Sequence, residues 1–289
     1  PGMYVTSSLF IPAGKKKQMP AIIYCSGHTM LGYRQKGYQF EMLNLVSKGF
    51  IVFAIDPIGQ GERQQYLNEK NVSIFDSPTK EHSFPGAQLF ISGSSLANYM
   101  IWDGIRAVDY LMTRKEVDAK RIGIAGRSGG GTQSAYIAAL DDRIYAAVPE
   151  NYITNFRRLF EEFGPQDAEQ NFLYGIKNHL DHADLLEVRA PKPVLMVTTS
   201  RDIFSIQGAL ETKKEVSGIY QLFGKEENFD IVESDTVHAS TVKNREHTYA
   251  FFQKHLNNPG DSTEHNLETL TDELKVTQTG QVVSSIKEA

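Results

Sequence analysis

Seven short runs of apolar, β-branched or aromatic residues recur along the chain: Tyr4–Ile11, Ala21–Cys25, Phe50–Ile55, Arg121–Ala125, Ala146–Pro149, Pro193–Thr199 and Phe229–Glu233. Most are continuous rather than alternating, the pattern of strands buried on both faces. Helical patterns separate them. Tyr38–Lys48 stops at Gly49, a C-capping residue. Ser95–Thr113 carries apolar side chains at Tyr99, Ile101, Trp102, Ile105, Val108 and Leu111, and Gly131–Leu140, Gln207–Val216 and Thr241–Leu256 complete the set. Strand–helix alternation over a buried sheet predicts an α/β fold, a mostly parallel doubly wound sheet flanked by helices. Such sheets carry their reactive groups on loops at the carboxyl ends of the strands.

Two connections are longer than a compact sheet needs. Residues 57–94 hold Gly59, Gly61, Pro78, Pro85, Gly86 and Gly93, and residues 150–190 are rich in aromatics (Tyr152, Phe156, Phe160, Phe163, Phe172, Tyr174). Long loops in a compact domain are commonly lids or binding loops, and aromatic content argues against disorder. Both are therefore expected as lid-like insertions that roof a site within one domain, residues 1–256. Residues 257–289 are polar and lack a core-facing pattern. They are expected as a C-terminal extension or linker toward a further module, because both ends read as cuts in a longer protein.

Composition changes this picture little. The 289 residues are 40% hydrophobic and 22% charged, with a net charge of −5 and no basic stripe, which disfavours a nucleic-acid partner. Lys15-Lys16-Lys17 reads as a solvated turn. No apolar stretch is long enough to span a membrane, so no membrane partner is expected. The single cysteine, Cys25, sits in an apolar run and is expected as a buried core thiol, which leaves the compartment open.

The chemistry concentrates at Gly126-Arg127-Ser128-Gly129-Gly130, between the strand Arg121–Ala125 and an Ala-rich helix. This is a G-x-S-x-G nucleophile elbow in its strand–turn–helix context, and it specifies an α/β-hydrolase fold. The strained serine presents its hydroxyl at the tip of the turn, and the following helix aims free N–H groups at the reacting centre. A serine hydroxyl needs a base, and the base needs an orienting group. In this fold the partners follow in the order serine, acid, histidine. Pro193–Thr199 runs into Ser200-Arg201-Asp202, and Phe229–Glu233 runs into Ser234-Asp235-Thr236-Val237-His238. Ser128, Asp202 and His238 thus come from three strand ends in that order.

Glu150, at the end of Ala146–Pro149, competes with Asp202 as the acid, and Asp235 reads as a loop-shaping residue. His179 and His182, at i and i+3, lack a third ligand and read as a solvated helical face rather than a metal pair. His247 and His255 fall inside the last helix as surface positions, and His28 precedes the serine, on the wrong side for the base. No metal or other cofactor is expected. An oxyanion hole needs two backbone N–H groups. Gly129 is expected to supply one, and the loop Ser26-Gly27-His28-Thr29-Met30 the other, through His28 first and Thr29 second.

With these residues placed, the chain resembles the acetylxylan-esterase-like branch of the α/β-hydrolases, bacterial enzymes of polysaccharide breakdown. The resemblance spans about Tyr4 to Leu256. It rests on Ser26-Gly27-His28, on Asp56-Pro57-Ile58-Gly59-Gln60-Gly61-Glu62-Arg63, on Trp102–Tyr110, on the elbow, and on Pro165-Gln166-Asp167-Ala168-Glu169-Gln170. It implies a serine carbohydrate esterase without a metal, acting on a carbohydrate ester such as an O-acetyl group. It also implies a module of a larger chain and a periplasmic or extracellular setting. Arg127 departs from the small or amide residue expected at the elbow's variable position. Two roles stay open for it: binding a substrate carboxylate, as in uronic-acid esters, or pairing with an acid such as Glu150. Gln60, Arg63, Trp102 and Arg127 are the expected substrate contacts. A uronoyl or methyl esterase, a peptidase, or a carbohydrate-binding module that has lost catalysis are the competing readings.

Overall fold

The computed structural model describes residues 2–14, 18–164, 166–270 and 272–286; the Lys15–Lys17 turn and Pro165 lie outside them. All seven strand patterns form one sheet: β1 (Ser7–Phe10), β2 (Met19–Cys25), β3 (Ile51–Ile55), β4 (Val117–Arg127), β5 (Ile144–Glu150), β6 (Val194–Arg201) and β7 (Phe229–Val237), in the order β1-β3-β2-β4-β5-β6-β7. Only β1, half-buried at one edge, runs antiparallel. The fold is that of an α/β-hydrolase.

The helices are α1 (Lys36–Ser47), α2 (Pro78–Ile91), α3 (Leu96–Thr113), α4 (Gly129–Leu140), α5 (Phe156–Glu162), α6 (His182–Glu187), α7 (Ile206–Leu222), α8 (Val242–His255) and α9 (Val282–Ser285). Period-two alternation divides each central strand between two cores. Ile23, Phe53, Ile124, Ala147 and Met196 pack with side chains of α3, α4, α6 and α7, while Ile22, Tyr24, Val52, Ala125 and Val197 pack with those of α1 and α8. Helices therefore cover both faces, which is why the strands read as unbroken apolar runs. Cys25 is fully buried, and burial pushes its thiol up to about 12.

The long connections are more structured than their Gly/Pro content suggests. Residues 57–94 contain α2, which starts at Pro78, a favoured first-turn position, and accommodates Pro85 internally. Residues 150–190 contain α5, α6 and a 3-10 turn at Ala168–Gln170. The two insertions meet: Ala168 clusters with Leu96 and Met100, flanked by Ile58, Leu89 and Phe90.

The C-terminal segment, expected as an extension or linker, lies along the domain. The His265 backbone N–H donates to Asn44 Oδ1 (2.8 Å) and its carbonyl accepts from Asn44 Nδ2 (3.0 Å). Leu274 is buried in the α1/α8 core, and the Val276 and Thr277 amides donate to the buried Glu62 carboxylate at 2.8 and 2.7 Å. Backbone bonds to buried polar side chains anchor it, so it shows no hydrophobic periodicity. Among the described residues, no helix is long and apolar enough to cross a membrane.

Candidate active site

β4 ends in the elbow. Ser128 takes φ 59° and ψ −124°, a conformation that costs a non-glycine residue about 1–3 kcal/mol. The turn is possible because its glycines admit close neighbours. A Cβ on Gly126 would lie 2.4 Å from the Gly130 carbonyl oxygen, and one on Gly130 would lie 2.0 Å from that of Cys25. The Ser128 amide donates to the Glu150 carbonyl (2.9 Å), and its carbonyl accepts from Thr132 N–H (3.0 Å), so the serine heads α4. The Gly27 loop is adjacent, since a Cβ on Gly27 would sit 3.2 Å from Ser128 Cβ. Among the described residues, neither the Gly129 nor the His28 backbone N–H donates within the chain. Both remain available to an oxyanion.

Asp202 and His238 stand past the ends of β6 and β7, and His238 Nδ1 lies 2.7 Å from Asp202 Oδ1. A carboxylate only accepts here, so Nδ1 carries the proton and Nε2 keeps its lone pair. Asp202 is itself held: Thr199 Oγ1 donates to Oδ2 (2.7 Å) and Phe204 N–H to Oδ1 (3.1 Å). The histidine loop is drawn toward the serine by Asn151, whose amide side chain donates to the Ala239 carbonyl at 3.0 Å. Asn151 directly follows Glu150, which binds the Ser128 amide. No sequence motif marks Asn151; its φ of 49° is a structural sign only.

Glu150, the competing acid, lies elsewhere. It is buried with Glu41 and Arg127, and burial, with Glu41 adding to it, raises its pKa far above the carboxylate range. Its Oε1 has no hydrogen-bond partner, while the carboxylate bonded to His238 belongs to Asp202. Arg127 is register-paired with Glu150, and its guanidinium sits 5.0 Å above the Tyr38 ring.

Of the other expected substrate contacts, Gln60 and Arg63 are buried in bonds within the chain and Trp102 is exposed on α3. Gln60 is 1% exposed and donates to the Gly27 and Thr29 carbonyls (2.8 and 3.2 Å), so it braces the Gly27–Thr29 loop. Arg63 is buried in an ion pair with Asp103 (2.6 Å) and also binds the Asp56 carbonyl (2.9 Å). Trp102 is 55% exposed on α3, where it stacks beneath Arg106. His182, expected on a solvated face, is fully buried, stacked on Tyr152 at 4.6 Å, and accepts from Thr154 N–H at Nδ1 (3.1 Å). His179 is exposed, as is His247, while His255 is half-buried against Phe251. Asp235 binds the Ser200 hydroxyl at the loop surface (2.9 Å).

The His28 side chain enters an assembly that its sequence position did not reveal. Its ring packs on Gly129, and its Nε2 lies 2.5 Å from Glu169 Oε1. Glu169 also faces His82. Burial alone would lower the His28 pKa, but the Glu169 carboxylate overcomes it and the pKa rises. Burial is likewise outweighed at Glu169, whose two histidines hold it well below the usual range.

The model of the acetyl xylan esterase (AXE1) family matches residues 2–181, more than half of the chain. The chain belongs to that family. Its members are named for a carboxylic ester hydrolase activity, and the elbow lies inside the matched region. "Putative hydrolase YtaP" of Bacillus subtilis (strain 168) is 27% identical over 217 residues, covering 73% of this chain and 67% of that protein. The solved structure of methylesterase BT1017 is 26% identical with a TM-score of 0.69; the match covers 89% of this chain but only 53% of that one. An acetyl xylan esterase from Paenibacillus sp. R4 shares the fold at a TM-score of 0.59 and 23% identity, over 87% of this chain and 79% of its own. This chain thus spans about half the length of the methylesterase.

Proposed function

We propose that this protein is a serine carbohydrate esterase that removes an ester, in the first place an O-acetyl group, from a plant or algal poly- or oligosaccharide. The observation that carries the reading is the 2.7 Å contact of His238 Nδ1 with Asp202, on a loop tied by Asn151 to the residue beside the elbow. In this reading Ser128 Oγ attacks the ester carbonyl carbon while His238 Nε2 takes its proton. The Gly129 and His28 amides receive the developing oxyanion, and His238 returns the proton to the departing sugar hydroxyl. Water then repeats the sequence on the acyl-enzyme and releases the acid. Asp202 fixes the imidazole tautomer and stabilises the transient imidazolium.

The family supports acetyl as the acyl group. A methyl ester of a uronic acid is the second reading, favoured by the likeness to a methylesterase. Against it, the Arg127 guanidinium beside the nucleophile lies over the Tyr38 ring rather than being free for a carboxylate.

Acetylated xylo-oligosaccharide and a glucuronate methyl ester, offered side by side, separate the two, with faster release of acetate expected. Ser128→Ala should lower turnover of a small acetyl ester by about 10⁴-fold or more without loss of fold. Turnover retained in that variant would sink the acyl-enzyme. Wild-type protein that neither turns over esters nor takes a fluorophosphonate label would return the chain to a binding module.

A further inference from the structure

Three segments far apart in the chain converge on one buried carboxylate. Glu169 turns Oε1 to His28 Nε2 (2.5 Å) and Oε2 to His82 Nδ1 (3.0 Å), and Asp167 Oδ2 stands 3.8 Å from His28 Nε2. The one potential ligand atom of each of His28, His82 and Glu169 falls within 4.8 Å of the others. Glu169 and His82 are each only 1% exposed.

The tautomer of His82 is set from outside. Its Nε2 lies 2.9 Å from the Ile58 carbonyl, which can only accept, so Nε2 carries a proton and a neutral ring points its Nδ1 lone pair at Glu169. Although Nδ1 and Oε2 are 3.0 Å apart, they are not aligned as donor and acceptor, and both are buried without a hydrogen-bond partner. Two buried polar atoms left unpartnered at that distance call for a positive charge between or beside them, which a metal ion supplies as well as a proton does. A second ring nitrogen held by a backbone carbonyl is also how metal-ligating histidines are oriented.

We propose that His28, His82 and Glu169 bind a zinc ion, with Asp167 near enough to complete a tetrahedral set. Two imidazoles and carboxylate oxygen suit zinc, whereas magnesium and calcium favour oxygen alone. The ion joins the first insertion (His82) and the second (Glu169) to the oxyanion loop (His28). Because the His28 ring packs on Gly129, the ion fixes the loop that faces the nucleophile. No step of the ester hydrolysis passes through it.

The test is binding, so it does not depend on the esterase reading. The full chain, stripped with a chelator and dialysed, is titrated with zinc chloride against a chromophoric chelator. One equivalent bound at or below about micromolar zinc is expected, with a higher thermal midpoint. His82→Asn and Glu169→Gln should each weaken it by about 100-fold or more, and the part-exposed Asp167→Asn by about 10-fold, a variant expected to keep its fold. X-ray absorption on the zinc-loaded protein should show an N/O shell containing imidazole. Absence of stoichiometric binding by the wild type overturns the proposal and leaves a carboxylate shared by protonated histidines. So does binding that survives the substitutions in folded protein.

Discussion

The two flanks of Ser128 are built on opposite plans. On the β6/β7 flank, Asp202 and His238 stand on short loops at the ends of adjacent parallel strands, each only a few residues past its strand core. Hydrogen bonds from Thr199 and Phe204 hold the carboxylate locally. On the β2 flank, the Gly27–Thr29 loop is fixed from a distance, by Gln60 reaching Gly27 and Thr29 and by Glu169 reaching His28 across 141 positions of sequence. The first flank inherits its geometry from the sheet. The second depends on two insertions folding correctly over it. A parallel sheet thus places Ser128, Asp202 and His238 with little help, while the His28 loop is held by the insertions that roof it.

The contrast can be broken at either flank. Asp202→Asn should have the largest effect, lowering kcat on a small acetyl ester by about 10⁴-fold with an unchanged thermal midpoint. Glu150→Gln should change it less than about tenfold; the reverse order, read by steady-state kinetics, would move the acid to Glu150. Next, Arg63→Met leaves Asp103 buried without its partner and should cost about 3–5 kcal/mol of stability in denaturant unfolding. If the midpoint hardly moves, the first insertion is not held by that pair.

Gln60→Ala removes two bonds to the oxyanion loop and should lower kcat about 10- to 100-fold while KM stays within about threefold. A fall confined to KM would make Gln60 a substrate contact after all.

The remaining effects concern pH. Glu150, pushed up to about 8, keeps its proton in the folded chain where an unfolded glutamate loses it near 4.5. Stability therefore falls as pH rises between those values, and Glu150→Gln should flatten that slope by roughly 2–4 kcal/mol. His182, pushed down to about 4 by burial, stays neutral where an unfolded histidine is protonated below 6.5. Stability falls as pH drops from 6.5 to 4, and His182→Gln should flatten that limb by roughly 1–3 kcal/mol. Urea titrations across pH check both, and slopes unchanged by the substitutions would place the linkage on other groups.

Legibility followed the same division. All seven strands and the helices α1, α3, α4, α7 and α8 were written in apolar runs and helical spacing, with shifts of a few residues at their ends. Helix α2 was hidden by its Pro85 and Gly86, and α5 and α6 are too short for a period to show. His182 was misplaced because one turn of helix carries no sign of which side Tyr152 will cover. Gln60 and Arg63 stood out through the resemblance. What they touch, backbone carbonyls and Asp103, follows from the fold of the insertion and has no local mark. The polar tail from residue 257 showed no core-facing pattern because its anchors, Asn44 and Glu62, are buried polar side chains that meet backbone amides.

The chain's own order of residues determined the strand sequence, the elbow at Ser128 and the positions of Asp202 and His238. Periodicity and turn chemistry act over a few residues and need no partner. Tertiary structure alone decided that Arg127 lies over the Tyr38 ring, that the carboxylate bonded to His238 is Asp202 rather than Glu150, and that His28, His82 and Glu169 meet in one site. Each of these depends on segments brought together by burial, and burial energy is non-directional along the sequence.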